Sequence, residues 1–195
     1  MTSVFLIAGF TKQTAEDDKF RQLRKAIELK GYKLIPVPIK WSHKTVAQYS
    51  DEFKNFYQQK KGKHNIVIGN SYGAMVAFLT APDLMPDEVI LCSLSPYFKE
   101  DVDKTTKQYR IKRFGKRREQ GMQLLSAKDT AKRINDLKIP VTLLYGELEK
   151  TIYPHLLERV KATANDLEDC ELVELPKATH SFYEREYVQG IEKIL

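Results

Sequence analysis

The chain has 195 residues, 42% hydrophobic and 30% charged, which fits one folded domain of ordinary size and excludes a disordered, collagen-like or linker-like polymer. Its 32 basic and 26 acidic residues leave a net charge of +6, but residues 99–138 alone hold 13 basic against 6 acidic residues, so the basicity belongs to one segment and not to the body of the fold. Two cysteines, Cys92 and Cys170, form neither a CxxC pair nor a disulfide framework, which excludes a zinc ribbon or a stapled secreted domain.

Along the chain, MTSVFLIAGF lacks a basic leader, and Ser3 to Ala8 reads as a buried strand and not as a signal peptide. Glu16 to Lys30 reads as an amphipathic helix with Phe20, Leu23 and Ile27 on one face and Gly31 at its C-terminal end. Tyr32 to Ile39 is a second strand, and Pro36 and Pro38 place it toward a sheet edge. Val46 to Lys60 is a helix with a stripe of Tyr49, Phe53, Phe56 and Tyr57. Asn65 to Ile68 is a strand, Tyr72 to Leu79 a helix, and Val89 to Leu94 a strand. Val141 to Tyr145 is a strand, Pro154 to Thr163 a helix, Glu171 to Leu175 a strand and Tyr183 to Ile194 a closing helix.

Short, nearly all-apolar strands joined by helices imply a parallel sheet buried on both faces. Right-handed crossovers then make a three-layer α/β/α fold. The stretch 96–137 breaks the rhythm: it is polar, holds no strand candidate, and carries KTTKQYRIKRFGKRR at 104–118, with eight basic residues and no acid. We read it as a helical, basic cap inserted within a single domain of 1–195. Both cysteines lie in apolar runs and read as buried thiols. No apolar run reaches the ~20 residues of a membrane span, and a reducing, cytoplasmic setting is expected.

The most informative stretch is Gly69-Asn70-Ser71-Tyr72-Gly73, a GxSxG pattern with an apolar strand before it and a helix of small residues after it. A serine hydroxyl is a poor nucleophile unless it is exposed beside a base. A tight strand-to-helix turn lifts the serine above the sheet, strains its backbone, and leaves no room for side chains at Gly69 and Gly73. The helix N-terminus behind it favours negative charge.

With this motif the chain resembles the α/β-hydrolase superfamily over nearly its full length. The resemblance implies a minimal version of that fold, with six parallel strands in the order 2-1-3-4-5-6. It also implies catalytic residues in the order Ser, acid, His. Ser71 is then the nucleophile. The acid is expected after VTLLYG, where Gly146-Glu147-Leu148-Glu149 matches a Gly-x-x-Asp pattern with Glu in place of Asp. Glu149 is the preferred position and Glu147 the alternative; Glu100 and Asp101 stand where a few members carry the acid. Of four histidines, His43 and His64 precede the serine, His155 sits early in a helix, and His180 alone follows the last strand. Oxyanion donors are expected from the backbone N–H groups of Tyr72 and of Phe10, with Gly9 allowing close approach and Thr11 able to add a hydroxyl.

The implied activity is a serine hydrolase acting through an acyl-enzyme on a small carboxylic ester, with a thioester second. No metal or organic cofactor is expected: there is no cluster of ligands at metal spacing, no GxxxxGK[ST] and no GxGxxG. Phe10, Trp41, Tyr72, Tyr97 and Phe98 are candidate walls for a hydrophobic acyl group. Three readings stand for the run at 104–118: a solvated helical surface, steering of an anionic substrate, or a contact with nucleic acid or anionic lipid. The competing class of function is a non-catalytic binding or scaffold protein on the same fold, its basic cap holding anionic partners.

Overall fold

Residues 1–10, 18–42 and 44–195 are described by the computed structural model; Thr11, Glu16 and His43, named above, lie outside them. Six strands, β1 (Thr2–Ile7), β2 (Lys33–Pro36), β3 (His64–Asn70), β4 (Glu88–Cys92), β5 (Val141–Gly146) and β6 (Cys170–Leu175), form one parallel sheet in the order β2-β1-β3-β4-β5-β6. Pro36 ends β2 at the sheet edge, where a missing N–H costs no ladder bond between two neighbours. The expected strand to Ile39 therefore stops early.

Side chains alternate across the sheet and build two cores. Phe5, Ile7, Val67, Leu91 and Leu143 face α2 (Val46–Lys60), α3 (Tyr72–Leu84), α6 (Ala127–Leu137) and α8 (Pro154–Asp166). Val4, Leu6, Ile68, Ile90 and Leu144 face α1 (Arg21–Leu29) and α9 (Arg185–Ile194). Each such side chain withdrawn from water contributes about 1.5–3 kcal/mol before entropy is counted. The helix after Ser71 runs on past Leu79 to Leu84 through Pro82, because Ala81, Pro82 and Leu84 are themselves buried. Cys92 is buried as expected; Cys170, on edge strand β6, is only partly covered, and burial pushes its thiol up to about 11.

Between β4 and β5 the chain forms a short 3-10 segment (Lys99–Lys104), α4 (Lys107–Phe114), α5 (Lys116–Met122) and α6. Here α6 packs on α3 and α8 as part of the sheet-covering layer, whereas α4 and α5 pack on each other and α5 reaches α2. Buried arginines hold this region. Arg159 on α8 makes a two-pronged ion pair with Asp101, and Arg110 pairs with Glu119. Arg118 donates to the Lys44 carbonyl and lies over the ring of Phe10. Two of the eight basic residues at 104–118 are thus interior props and not solvated charges.

Glu100 caps α6, accepting from Ser126 Oγ and from the amides of Ala127 and Lys128. Burial alone would raise its pKa, but these donors outweigh burial and hold the carboxyl below its ordinary range. A depressed folded pKa contributes stability above the unfolded value and loses it as pH falls through the folded one. Glu100→Gln is therefore expected to cost about 1 kcal/mol at neutral pH, allowing for solvent screening. The gap to wild type should close as urea midpoints are followed down through the acid range.

Candidate active site

Ser71 stands between β3 and α3 with φ 53° and ψ −114°, outside the regions open to ordinary residues at low cost. Such backbone costs on the order of 1–3 kcal/mol and survives only where its surroundings enforce it. The Ser71 amide donates to the Cys92 carbonyl on β4 at 2.8 Å, and the Ser71 carbonyl accepts from Ala74 at 3.1 Å. The flanking glycines are required by contact. A Cβ on Gly69 would stand 2.6 Å from the Gly73 carbonyl oxygen, and one on Gly73 2.5 Å from that of Ile7. These are backbone atoms of the first turn of α3 and of central strand β1. Gly73→Ala is expected to lower stability by about 3 kcal/mol, read as a drop in the urea midpoint.

Two segments converge on this turn. The loop after β6 brings His180, whose Nε2 lies 3.1 Å from Ser71 Oγ. The turn after β5 begins the short helix α7 (Glu149–Ile152), absent from the sequence reading, and it carries Glu149 inward to complete burial. His180 Nδ1 lies 2.8 Å from Glu149 Oε1. An anionic carboxylate accepts, so Nδ1 carries the proton and Nε2 is free to accept from Ser71. A Cβ on Gly146 would strike the Ala178 and Thr179 carbonyls, which explains a glycine where the β5 turn meets the histidine loop.

Glu149 is a fully buried charge, and every lone-pair direction in use has a donor. Oε1 accepts from His180 and from Ser93 Oγ at 2.6 Å, and Oε2 accepts from the Gly146 amide at 3.2 Å. The single Ser93 proton goes to the carboxylate, so the Tyr187 hydroxyl, 2.5 Å from Ser93 Oγ, donates to it in turn. Burial and the nearby Glu149 charge push the Tyr187 phenol well up, which keeps it a donor. Ser93 and Tyr187 were not singled out by sequence; Ser93 adopts φ 52°, a strain that no residue pattern announces.

The other acids named from sequence lie elsewhere. Glu147 is part-exposed and accepts from the Lys177 amide, Glu100 caps α6, and Asp101 is held by Arg159. Among the histidines, His64 lies beside Asp87 on the surface, and His155 lines the cavity described next.

Gly9 brings the end of β1 against the elbow: a Cβ there would stand 2.9 Å from Asn70 Oδ1 and 3.1 Å from Ser71 Cβ. Tyr72 is the first residue of α3, and the first amides of a helix have no partner within it. Ser95, also missed by sequence, places its hydroxyl 3.1 Å from Ser71 Oγ. A cavity of about 500 Å³ opens over Ser71 and His180. Of the proposed aromatic walls, Phe10, Tyr72 and Tyr97 line it; Trp41 packs behind Tyr72, and Phe98 is buried against Phe78. Tyr109, Phe114 and Tyr153 complete the aromatic lining.

The chain has an α/β-hydrolase fold. Solved structures that it resembles include Est1E from Butyrivibrio proteoclasticus with ferulic acid bound, at 14% identity and a TM-score of 0.75, covering 100% of this chain and 86% of that one. Alpha/beta hydrolase domain-containing protein 10 from mouse matches at 12% identity and a TM-score of 0.73, over 98% of this chain and 87% of that one. A thioesterase domain from the curacin biosynthetic pathway matches at 15% identity and a TM-score of 0.67, over 99% and 90%. No protein-family model and no curated protein matches the chain. Among the described residues, no helix is long and apolar enough to cross a membrane.

Proposed function

We propose that this chain is a serine hydrolase that cleaves a small carboxylic ester through an acyl-enzyme. The observation that carries the reading is the continuous hydrogen-bonded line from Ser71 Oγ through His180 to the buried Glu149, set on a strained strand-to-helix turn at the mouth of a cavity. In this mechanism His180 Nε2 takes the Ser71 proton as Oγ attacks the acyl carbon. Glu149 holds the imidazole in its tautomer and stabilises the imidazolium. The Phe10 and Tyr72 amides receive the oxyanion, and His180 then protonates the leaving oxygen. Water repeats the sequence to free the acid. With the Ser71 proton directed to His180, the Ser95 hydroxyl 3.1 Å away is left to donate to Ser71 Oγ. The 3-10 segment, α4 and α5 act as the cap.

A thioester is the second reading, favoured by the similarity to a thioesterase domain. The test is labelling with a serine-directed fluorophosphonate, read as intact mass. One adduct on the wild type, absent in Ser71→Ala, is expected. No adduct on folded wild-type protein would overturn the hydrolase reading and favour a non-catalytic binding protein.

A further inference from the structure

Among the described residues, the cavity above Ser71 is lined by an arginine and by no carboxylate. Tyr109 and Arg113 of helix α4 and its N-cap Thr106 line it, at the spacing of one helical face. Arg113 is exposed to solvent, with its guanidinium carbon 5.6 Å from the centroid of the Phe114 ring. Phe114 in turn stacks on Tyr72, the neighbour of the nucleophile, at 5.9 Å. Among the described residues no carboxylate pairs with Arg113; it faces the Tyr97 phenol and the Phe114 ring. Asp101 and Glu158 have other cations beside them, Arg159 and Lys104 respectively. By contrast, Arg110 and Arg118 of the same basic run are buried and bonded to protein groups.

An aromatic cleft with one guanidinium on its wall, and no carboxylate partner for it among the described residues, suits a substrate with one matching charge. We infer that the natural substrate is an ester, or thioester, that carries a carboxylate away from the reacting carbonyl, and that Arg113 binds that carboxylate. A guanidinium presents two parallel N–H groups to a carboxylate, and one positive charge balances a monoanion. The hydroxyls of Thr106 and Tyr109 on the same helix face can supply further donors. This inference rests on the hydrolase reading, but it concerns which ester is chosen and not whether one is cleaved.

The test compares kcat/KM for p-nitrophenyl hydrogen adipate with that for its neutral methyl ester, in wild type, Arg113→Gln and Arg113→Lys. A second pair, 3-(butanoyloxy)benzoate and its methyl ester, moves the carboxylate to the leaving group and so tells on which side it binds. A charge-assisted contact predicts a preference for the anion of about tenfold or more in one pair. That preference should fall toward unity in Arg113→Gln, keep an intermediate value in Arg113→Lys, and shrink with added salt. Free adipate should slow fluorophosphonate labelling of Ser71 in wild type and not in Arg113→Gln, a readout independent of turnover. Equal anion-to-neutral ratios in wild type and Arg113→Gln for both pairs, with no protection by adipate, would overturn the inference while leaving a labelled Ser71 and the hydrolase reading intact. Absence of labelling would overturn the hydrolase reading and the inference with it.

Discussion

Ser71→Ala is expected to lower kcat on an activated ester by a factor on the order of 10^6 if the three residues act as a unit. His180→Ala should cost about as much, and the double variant scarcely more, because neither group has a route to the acyl-enzyme without the other. The residual rate over water would report what the proposed oxyanion donors, the Phe10 and Tyr72 amides, and the cavity do alone. Folding should change little in Ser71→Ala, since alanine takes the same φ of 53° at a similar cost and the part-buried His180 and Ser95 groups left behind line the cavity. Kinetics on p-nitrophenyl esters beside a urea melt separate the two effects. A variant that kept more than a few per cent of the wild-type rate would remove Ser71 from the role of nucleophile.

Glu149→Gln is expected to lower kcat by about 10^3–10^4 with a smaller change in KM. The reason lies in the donors around the carboxylate. Oε1 faces His180 and Ser93, and Oε2 faces the Gly146 amide, so an NH2 group at either position meets a donor. If the amide nitrogen faces His180, the ring is driven toward the wrong tautomer and Nε2 no longer accepts from Ser71. If it faces Gly146, a buried N–H is left without an acceptor, at a cost of about 1–3 kcal/mol in stability. Glu147→Gln is the control, because Glu147 touches Lys177 and Lys150 at the surface and not the histidine. Equal losses in the two variants would point to a general effect of acidic charge, and a loss confined to Glu147→Gln would reassign the acid.

Much of this arrangement was legible in the residues. Alternating apolar runs and helical stripes dictated a parallel sheet covered on both faces, and its strand order agrees with the one implied by the resemblance. Gly69, Ser71 and Gly73 announced the tight turn, because only glycine fits where a Cβ would meet backbone carbonyl oxygen within 2.6 Å. Chain order pointed to His180, and the match of Gly146–Glu149 to Gly-x-x-Asp favoured Glu149 with Glu147 as the alternative. Which carboxylate reaches the His180 ring depended on α7, a single turn too short to leave a periodic signal, which aims Glu149 inward. Likewise, Ser93, Ser95 and Tyr187 come from two separate segments of chain and meet near the site only because the end of β4 and α9 lie beside the segments that carry Ser71, Glu149 and His180. The fate of the basic run was also decided by packing. A sequence assigns each arginine the same charge, but burial converted Arg110 and Arg118 into props and left Arg113 facing the cavity. Local patterns specify elements because propensity and periodicity act over a few residues; partners far apart in sequence are selected only when the sheet brings their segments together.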